Sequence, residues 1–139
     1  MNRPVDILLV EDSDEDAELT LRTLTKQKLT KLHRVSDGVE ALEFLKSATQ
    51  VPRVIMLDLK LPKLNGLEVL KQIRANEHTK SIPVVVLTSS KEDRDLEAAY
   101  ELGVNSYIVK SSSFAQLLEE MAKLAYYWLV MNRTPNLAT

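Results

Sequence analysis

The stretch VIMLDLKLPKLNG, residues 54–66, shows the pattern on which the fold of this chain depends. Its four apolar residues, 54–57, are typical of a short strand buried on both faces. An acid, Asp58, follows directly, and the loop after it contains Pro62 and Gly66. A carboxylate at the end of a hydrophobic strand is costly unless another group compensates its charge, so we expect a partner for Asp58.

The rest of the chain alternates short strand-like runs with longer amphipathic stretches. Strands are predicted at residues 5–10, 32–35, 54–57, 83–87 and 106–109. Apolar residues at helical spacing predict helices over residues 15–28, 38–48, 66–76, 91–102 and 113–131. Asp37 is a suitable N-cap for the second helix, and Gly103 is suited to close the fourth.

Five consecutive strand–helix units indicate an α/β fold, with a parallel sheet, helices on both faces and right-handed crossovers. The second run is polar in its middle, at His33 and Arg34, which is typical of an edge strand. The expected architecture is therefore a flavodoxin-like (βα)5 doubly wound sheet with strand order 2-1-3-4-5.

Composition and charge narrow the possible functions. The chain has 139 residues, a net charge of −2 and no cysteine. The lack of a basic excess argues against nucleic-acid binding, and the lack of cysteine excludes disulfides, thiolate metal sites and cysteine nucleophiles. No apolar run approaches the roughly 18 residues of a membrane span. The first residues lack the pattern of a secretory signal, so we expect a cytoplasmic protein.

The length favours one domain over residues 1–139, with a core at 5–131 and a C-terminal tail at 132–139. No Gly/Ser-rich linker and no internal repeat divides the chain. Too few residues follow position 131 to form a helix-turn-helix, so no output domain is expected on this chain.

Polar residues follow four of the five predicted strands. They are Glu11 and Asp12 after the first strand, Asp58 after the third, Thr88 after the fourth and Lys110 after the fifth. The carboxyl ends of parallel strands share one edge of the sheet, and ligands bind there in open α/β folds. Because the first and third strands are neighbours, about 5 Å apart, the three acids should converge.

Three carboxylates at such short range repel one another unless a cation lies between them. An all-oxygen set with few protein ligands suits Mg²⁺, which keeps several waters and binds near phosphate groups. Lys110 adds a positive charge at the same edge, and Thr88 adds a hydroxyl donor. This combination predicts phosphoryl transfer to Asp58, with Mg²⁺ and Lys110 neutralising the charge of the phosphoryl oxygens.

Four stretches resemble the receiver domains of two-component response regulators: ILLVEDSDEDAEL, VIMLDLKLPKLNGLEVL, VVVLTSSKE and GVNSYIVK. The likeness covers roughly residues 5–130, with the motifs in order and at fitting spacing. It implies that Asp58 is the phosphoacceptor. It also implies that Asp12, Asp58 and the backbone carbonyl of Lys60 ligate Mg²⁺, while Glu11 holds a metal-bound water.

The same resemblance implies the roles of three further residues. Lys110 contacts the phosphoryl group, Thr88 hydrogen-bonds to it and moves inward, and Tyr107 follows that movement. The phosphoryl donor is then a sensor histidine kinase, and the chain is a signalling module rather than an enzyme.

Within this family, the sequence is most similar to phytochrome-associated single-domain response regulators. The stretch NEHTKSIPVVVLTSSKEDRDLEAAYELGVNSYIVK and the ending YYWLVMN carry that likeness, which implies a phytochrome-type kinase as a partner. The chain departs from the family pattern at Ser111, where a proline usually follows the lysine, often after a cis bond. A cis bond before a residue other than proline costs about 2.5–4 kcal/mol, so the conformation there and the direction of Lys110 stay open.

The stretch LAYYWLVM, residues 124–131, places apolar or aromatic residues around the whole circumference of the last helix. One face can pack on the sheet, but Tyr126, Tyr127 and Trp128 cannot all point into one core. We therefore hypothesise a homodimer interface there, since aromatic residues are favoured at interfaces. The alternative is that the tail NRTPNLAT covers this end of the helix.

Two other functional classes compete with the signalling module. A small hydrolase could use Asp58 as its nucleophile, but such enzymes usually carry a second acid two residues later, where this chain has Lys60. A flavin- or nucleotide-binding protein would need Gly, Ser or Thr amides after the first strand to hold phosphate. This chain has EDSDED there, which repels a phosphate unless a metal is present.

Overall fold

The computed structural model describes residues 5–25, 31–110 and 113–126, apart from the side chains of 120, 121 and 124–126. Its strands are β1 (Ile7–Val10), β2 (Leu32–Val35), β3 (Val54–Leu57), β4 (Val84–Thr88) and β5 (Ser106–Val109). Its helices are α1 (Asp14–Leu24), α2 (Gly38–Ser47), α3 (Gly66–Ala75), α4 (Asp93–Glu101) and α5 (Phe114–Tyr126).

The five strands form one parallel sheet in the order β2-β1-β3-β4-β5, which confirms the predicted topology. β1, β3 and β4 are buried along their whole length because helices cover both faces of the sheet. β2 lies at an edge and is partly exposed, as its polar middle predicts.

The sheet separates two hydrophobic cores. One face packs against α2, α3 and α4 around side chains such as Leu8, Ile55 and Ile73. The other face packs against α1 and α5 around Leu9, Leu24 and Leu118. Successive strand residues point to opposite faces, so neighbouring residues such as Leu8 and Leu9 enter different cores.

Local sequence signals fix the helix ends. Ser13, Asp37 and Asn65 each accept a hydrogen bond from the backbone amide three residues later and so cap α1, α2 and α3. Gly103 follows the last turn of α4 with a φ of +89°, a conformation that residues with a β-carbon rarely adopt. Both Asp37 and Gly103 thus have the capping roles that the sequence predicts.

Several boundaries differ from the sequence prediction. β1 begins at Ile7 rather than at residue 5. β4 begins at Val84 rather than at 83, since proline has no amide hydrogen for the ladder, and it includes Thr88, whose carbonyl accepts from the Lys110 amide at 2.7 Å. α1 ends at Leu24 rather than at 28, and the Thr25 hydroxyl donates to the Arg22 carbonyl of its last turn.

The helices α2 and α3 each end one residue earlier than predicted, and α4 covers 93–101 because Glu92 has an extended backbone. α5 is described over 114–126, and residues 127–131 of its prediction lie outside the described part. Tyr127, Trp128, the side chain of Tyr126 and the Lys110–Ser111 bond lie outside it too. None of the helices within the described ranges has both the length and the apolar character needed to span a membrane.

Candidate functional site

The ends of β1 and β3 place two acids side by side. The two strands pair in register, with Val10 opposite Leu57, and the Asp58 amide donates to the Val10 carbonyl at 3.0 Å. Glu11 and Asp58 therefore leave the sheet at the same level, and both are almost fully buried. Asp12, the next residue along the β1–α1 loop, is exposed.

Glu11, Asp12 and Asp58 form the acidic cluster that the sequence predicts. Each of them offers a carboxylate oxygen, and these oxygens all lie within 4.8 Å of one another. Hard divalent cations prefer such all-oxygen sets, and the exposure of Asp12 leaves one side of the cluster open to water and ligand. The donor set therefore fits a hydrated divalent metal ion.

Lys110 extends from the end of β5 into this cluster. Its side chain is only 10% exposed, and its ammonium contacts the carboxylates of Glu11 and Asp58, the latter at 3.2 Å. The ring of Phe114, in the first turn of α5, lies 5.7 Å from the same ammonium. The direction of Lys110, which the sequence leaves open, is thus toward Asp58.

The structure adds a third carboxylate to Lys110 that sequence reasoning missed. Asp16, in the first turn of α1, accepts from the ammonium at 3.0 Å. The signal was present in the pattern Ser13-x-x-Asp16, because an acid three residues after an N-cap faces back toward the loop before the helix.

Arg34 is a second residue that sequence reasoning left without a role. From β2 its Nε donates to the Glu11 carbonyl at 2.9 Å, and its Nη1 contacts the carboxylate of Asp14. The polar middle of the edge strand was the signal for such a role. The guanidinium holds the backbone of the acidic β1–α1 loop against the sheet.

The charges at this edge are unbalanced. Burial raises the pKa of Glu11 to about 7, with the Lys110 hydrogen bond acting against that rise and the Asp58 charge adding to it. Burial alone lowers the pKa of Lys110, but the Glu11 hydrogen bond and the Asp58 charge outweigh it, so the pKa rises above its usual value. The ammonium therefore stays charged, while the acids around it still carry excess negative charge.

The β3–α3 loop holds the Asp58 carboxylate from the other side. The Lys60 amide donates to Asp58 Oδ1 at 3.0 Å, which turns the loop around the acid. A β-carbon at Gly66 would lie 2.4 Å from the Asp58 carbonyl oxygen, so only glycine allows α3 to begin that close to the site. The glycine eight residues after Asp58 therefore has a steric basis.

Thr88, Ser90 and Tyr107 form a small hydrogen-bonded group beside the acids. The fully buried Thr88 hydroxyl accepts from the Ser90 amide at 3.3 Å, and the Tyr107 hydroxyl donates to the Ser90 carbonyl at 3.1 Å. The Ser90 hydroxyl in turn contacts the carboxylate of Asp95 on α4. The predicted switch residues Thr88 and Tyr107 are thus joined through one loop residue.

Comparisons with known proteins identify the family of this chain and agree with its fold. Residues 7–122 match the family model described as the response regulator receiver domain. A probable methanogenesis regulatory protein, FilR2 of Methanothrix harundinacea, is 42% identical over 95% of this chain and 88% of its own length. The response regulator Rcp1 of Synechocystis is 40% identical over 92% of this chain and 91% of its own length.

Two solved structures extend the comparison. The phosphorylated cyanobacterial phytochrome response regulator RcpA superposes with a TM-score of 0.88 at 35% identity, covering 96% of this chain and 99% of its own. The Mn²⁺-bound form of Rcp1 superposes with a TM-score of 0.84 at 38% identity, covering 95% of this chain and 99% of its own.

Proposed function

The chain belongs to the response regulator receiver domain family, and from this premise we propose that Asp58 is its phosphoacceptor in two-component signalling. One observation carries the proposal: the buried Asp58 carboxylate lies against the Lys110 ammonium and within 4.8 Å of two further acids. A nucleophile, a fixed cation and a set of metal-ligand oxygens thereby meet at one point.

The proposed reaction joins an Asp58 carboxylate oxygen to phosphorus. With a phosphohistidine donor, the phosphorus–nitrogen bond breaks and the imidazole retains the electron pair and takes up a proton. The Lys60 amide holds Asp58 Oδ1, so Oδ2 is the proposed attacking atom. The Lys110 ammonium, which contacts Oδ2, is placed to neutralise charge on the phosphoryl oxygens. The products are an aspartyl phosphate and a free histidine, so atoms and charge balance.

The proposed metal ion is Mg²⁺. Asp12, Asp58 and the backbone carbonyl of Lys60 would hold it directly, and Glu11 would hold one of its waters. When bound, it supplies positive charge that stabilises the phosphoryl oxygens. The three converging acids and the Mn²⁺-bound form of Rcp1 support a divalent ion in this position.

Thr88 and Tyr107 are the proposed output switch. A phosphoryl group on Asp58 offers the hydrogen of the Thr88 hydroxyl a charged acceptor. Movement of Thr88 toward that acceptor would shift Ser90, whose amide donates to the Thr88 hydroxyl oxygen. Because the Tyr107 hydroxyl donates to the Ser90 carbonyl, a shift of Ser90 changes the position of Tyr107. The face formed by Tyr107 and α4 is then the surface that a partner reads.

The proposed donor is a sensor histidine kinase of the phytochrome type. The likeness to the phytochrome response regulator RcpA, over 96% of this chain, supports that assignment. Phosphotransfer from an autophosphorylated phytochrome kinase should be at least about tenfold faster than from a chemotaxis kinase, since receiver specificity is a difference in affinity for kinase surfaces. Equal rates from both kinases would contradict the assignment.

The single-domain boundaries 1–139, the cytoplasmic location and the homodimer through Tyr126, Tyr127 and Trp128 stay predictions. The hypothesised interface is tested by light scattering at high micromolar concentration, with and without a phosphoryl donor. A monomer under both conditions would remove it.

Intact mass spectrometry after incubation with acetyl phosphate and Mg²⁺ tests the phosphoacceptor directly. We expect a gain of one phosphoryl group in the unaltered protein, and no gain in Asp58→Asn or after chelation of the metal. Asp93→Asn, which alters an exposed acid at the start of α4, is the matched control and should gain the group normally. An unmodified wild-type protein, or a phosphorylated Asp58→Asn variant, would refute the proposal.

A further inference from the structure

The Lys110 ammonium has three hydrogens to donate, and the structure gives it three carboxylate acceptors. They are Glu11, Asp16 at 3.0 Å and Asp58 at 3.2 Å. These acceptors come from the end of β1, the first turn of α1 and the end of β3, so the ammonium joins three separate elements. Each N–H group of the ammonium therefore has one carboxylate acceptor. A change at one carboxylate leaves the other two hydrogen bonds in place.

Asp16 differs from the other two acceptors in its chemical role. It lies outside the cluster of Glu11, Asp12 and Asp58, whose oxygens converge within 4.8 Å. It is neither the proposed nucleophile nor a proposed metal ligand. Its side chain is 34% exposed, whereas Glu11 and Asp58 are almost fully buried. Its contact with Lys110 therefore stays available when Asp58 is modified.

The start of α1 leaves the Asp16 carboxylate available for Lys110. In a capping box, the acid three residues after the N-cap bonds back to the N-cap amide. Here the Ser13 hydroxyl accepts from the Asp16 amide at 3.2 Å, but the Ser13 amide donates to Glu11 Oε2 at 3.3 Å. Glu11 thus replaces Asp16 in the reciprocal half of the box, and the Asp16 carboxylate turns to the ammonium.

We propose that Asp16 is a positioning residue that fixes the Lys110 ammonium over Asp58 while the phosphoryl group is transferred. One N–H of the ammonium exchanges its acceptor, from the Asp58 oxygen to a phosphoryl oxygen. The other two N–H groups stay hydrogen-bonded to Asp16 and Glu11. Without Asp16, Glu11 is the one remaining carboxylate anchor among the residues that the structure describes, and it also serves the proposed metal-bound water. The inference rests on the proposed phosphoacceptor function and deepens it.

The matched control is Glu15→Ala. Glu15 is an exposed acid in the same first turn of α1, so its removal changes the net charge and the helix-end electrostatics as Asp16→Ala does. Asp16→Glu keeps a carboxylate one methylene further out and serves as the conservative variant. Thermal unfolding of each variant verifies that it folds before its kinetics are compared.

The experiment measures the phosphorylation rate against acetyl phosphate concentration at saturating Mg²⁺. In Asp16→Ala the maximal rate should fall about five- to tenfold and the half-saturating concentration change less than about twofold, because Lys110 acts mainly in the transition state. Glu15→Ala should keep the rate within about twofold, since surface substitutions usually change free energies by less than about 0.5 kcal/mol. Asp16→Glu, which retains the carboxylate, should recover most of the lost rate. These outcomes separate positioning of Lys110 from a general effect on helix α1.

If Asp16→Ala and Glu15→Ala were phosphorylated at equal rates while the wild-type protein gains the phosphoryl group, the role of Asp16 would be overturned. The proposal that Asp58 is the phosphoacceptor would be unaffected. A failure of Asp16→Glu to recover any activity while it remains folded would also overturn the role of Asp16. A wild-type protein that gains no phosphoryl group would instead overturn both proposals.

Discussion

Two partly buried cations lie at opposite ends of the parallel strands, and their surroundings differ in kind. We call the side of the sheet where the strands end the carboxyl edge and the side where they begin the amino edge. At the carboxyl edge, Lys110 contacts three carboxylates. At the amino edge, Arg74 donates to the carbonyls of Gly103, Lys80 and Ile82 and to the Asn105 side chain. The lysine is surrounded by excess negative charge, and the arginine is surrounded by neutral oxygens.

The pKa directions reflect this difference. Burial lowers the pKa of Arg74, since its neutral partners only partly replace water, whereas the acids raise the pKa of Lys110. A cation bound to neutral backbone carbonyls fixes the chain and has no reason to change partners. The Lys110 ammonium lies among more carboxylates than it can neutralise, and one of them, Glu11, has a pKa raised to about 7. Such a site can bind further positive charge. The surroundings of Arg74 are thus those of a structural site, and the surroundings of Lys110 are those of a reactive one.

The largest expected effect is on stability, at the amino edge. Arg74→Met removes four hydrogen bonds that tie α3 to the approaches of β4 and β5, and it leaves carbonyl groups without these donors. Unfolding in urea should show a loss of about 3 kcal/mol, because each hydrogen bond contributes roughly 0.5–1.5 kcal/mol and the partly buried Ile82 carbonyl is left without its donor. The exposed Arg94→Met is the control, and a loss as small as that of Arg94→Met would contradict the structural role.

The second effect is on rate, at the carboxyl edge. Lys110→Met should slow phosphorylation by acetyl phosphate about a hundredfold or more, since it removes a fixed charge that stabilises the transition state. Lys91→Met, on an exposed residue of the β4–α4 loop, should leave the rate unchanged. If the folded Arg74→Met variant lost as much rate as Lys110→Met, the functional division between the two edges would be wrong.

The third effect concerns pH. In the metal-free protein the pKa of Glu11 is raised to about 7, so below pH 7 this acid carries a proton and must lose it before its carboxylate can hold a metal-bound water. Mg²⁺ affinity, measured by calorimetry, should therefore weaken about tenfold between pH 8 and pH 6, with proton release on binding. In Glu11→Gln that dependence should flatten. A pH-independent affinity in the unaltered protein would show that Glu11 is not protonated at neutral pH.

The smallest expected effect is at Tyr107. Tyr107→Phe removes one hydrogen bond, to the Ser90 carbonyl, and should lower the free energy of unfolding by about 1 kcal/mol or less. Tyr100→Phe, on an exposed residue of α4, is the matched control and should have no measurable effect. If Tyr107→Phe lowered the free energy of unfolding as much as Arg74→Met does, Tyr107 would have a structural role like that of Arg74.

The sequence predicts the fold well because hydrophobic periodicity determines it. All five strands, their order and the convergence of Glu11, Asp12 and Asp58 follow from apolar runs and from the polar residues after them. Helix ends are predicted less well, as α1 shows: the helix ends at its last apolar residue, Leu24, whereas the prediction extended it over the polar residues 25–28.

Hydrophobic periodicity alone does not reveal the roles of Asp16 and Arg74. Arg74 crosses to other elements through its own long side chain, and Asp16 is reached by the long side chain of Lys110. No periodicity encodes how far a side chain reaches. In the sequence, Asp16 is one of three acids in the first turn of a helix, where negative charge is generally favourable. Arg74 is a cation in the last turn of a helix, which is equally common. Only the packing of the elements shows which partners they meet.

We expect the excess negative charge at the carboxyl edge to hold a divalent cation beside Asp58. Anomalous diffraction from a crystal soaked in Mn²⁺ tests this expectation. It should show one strong peak between the carboxylates of Asp12 and Asp58, next to the Lys60 carbonyl, and no peak there in Asp58→Asn. A saturating soak that leaves this position empty, or that places the ion elsewhere with Lys110 still on Asp58, would contradict it.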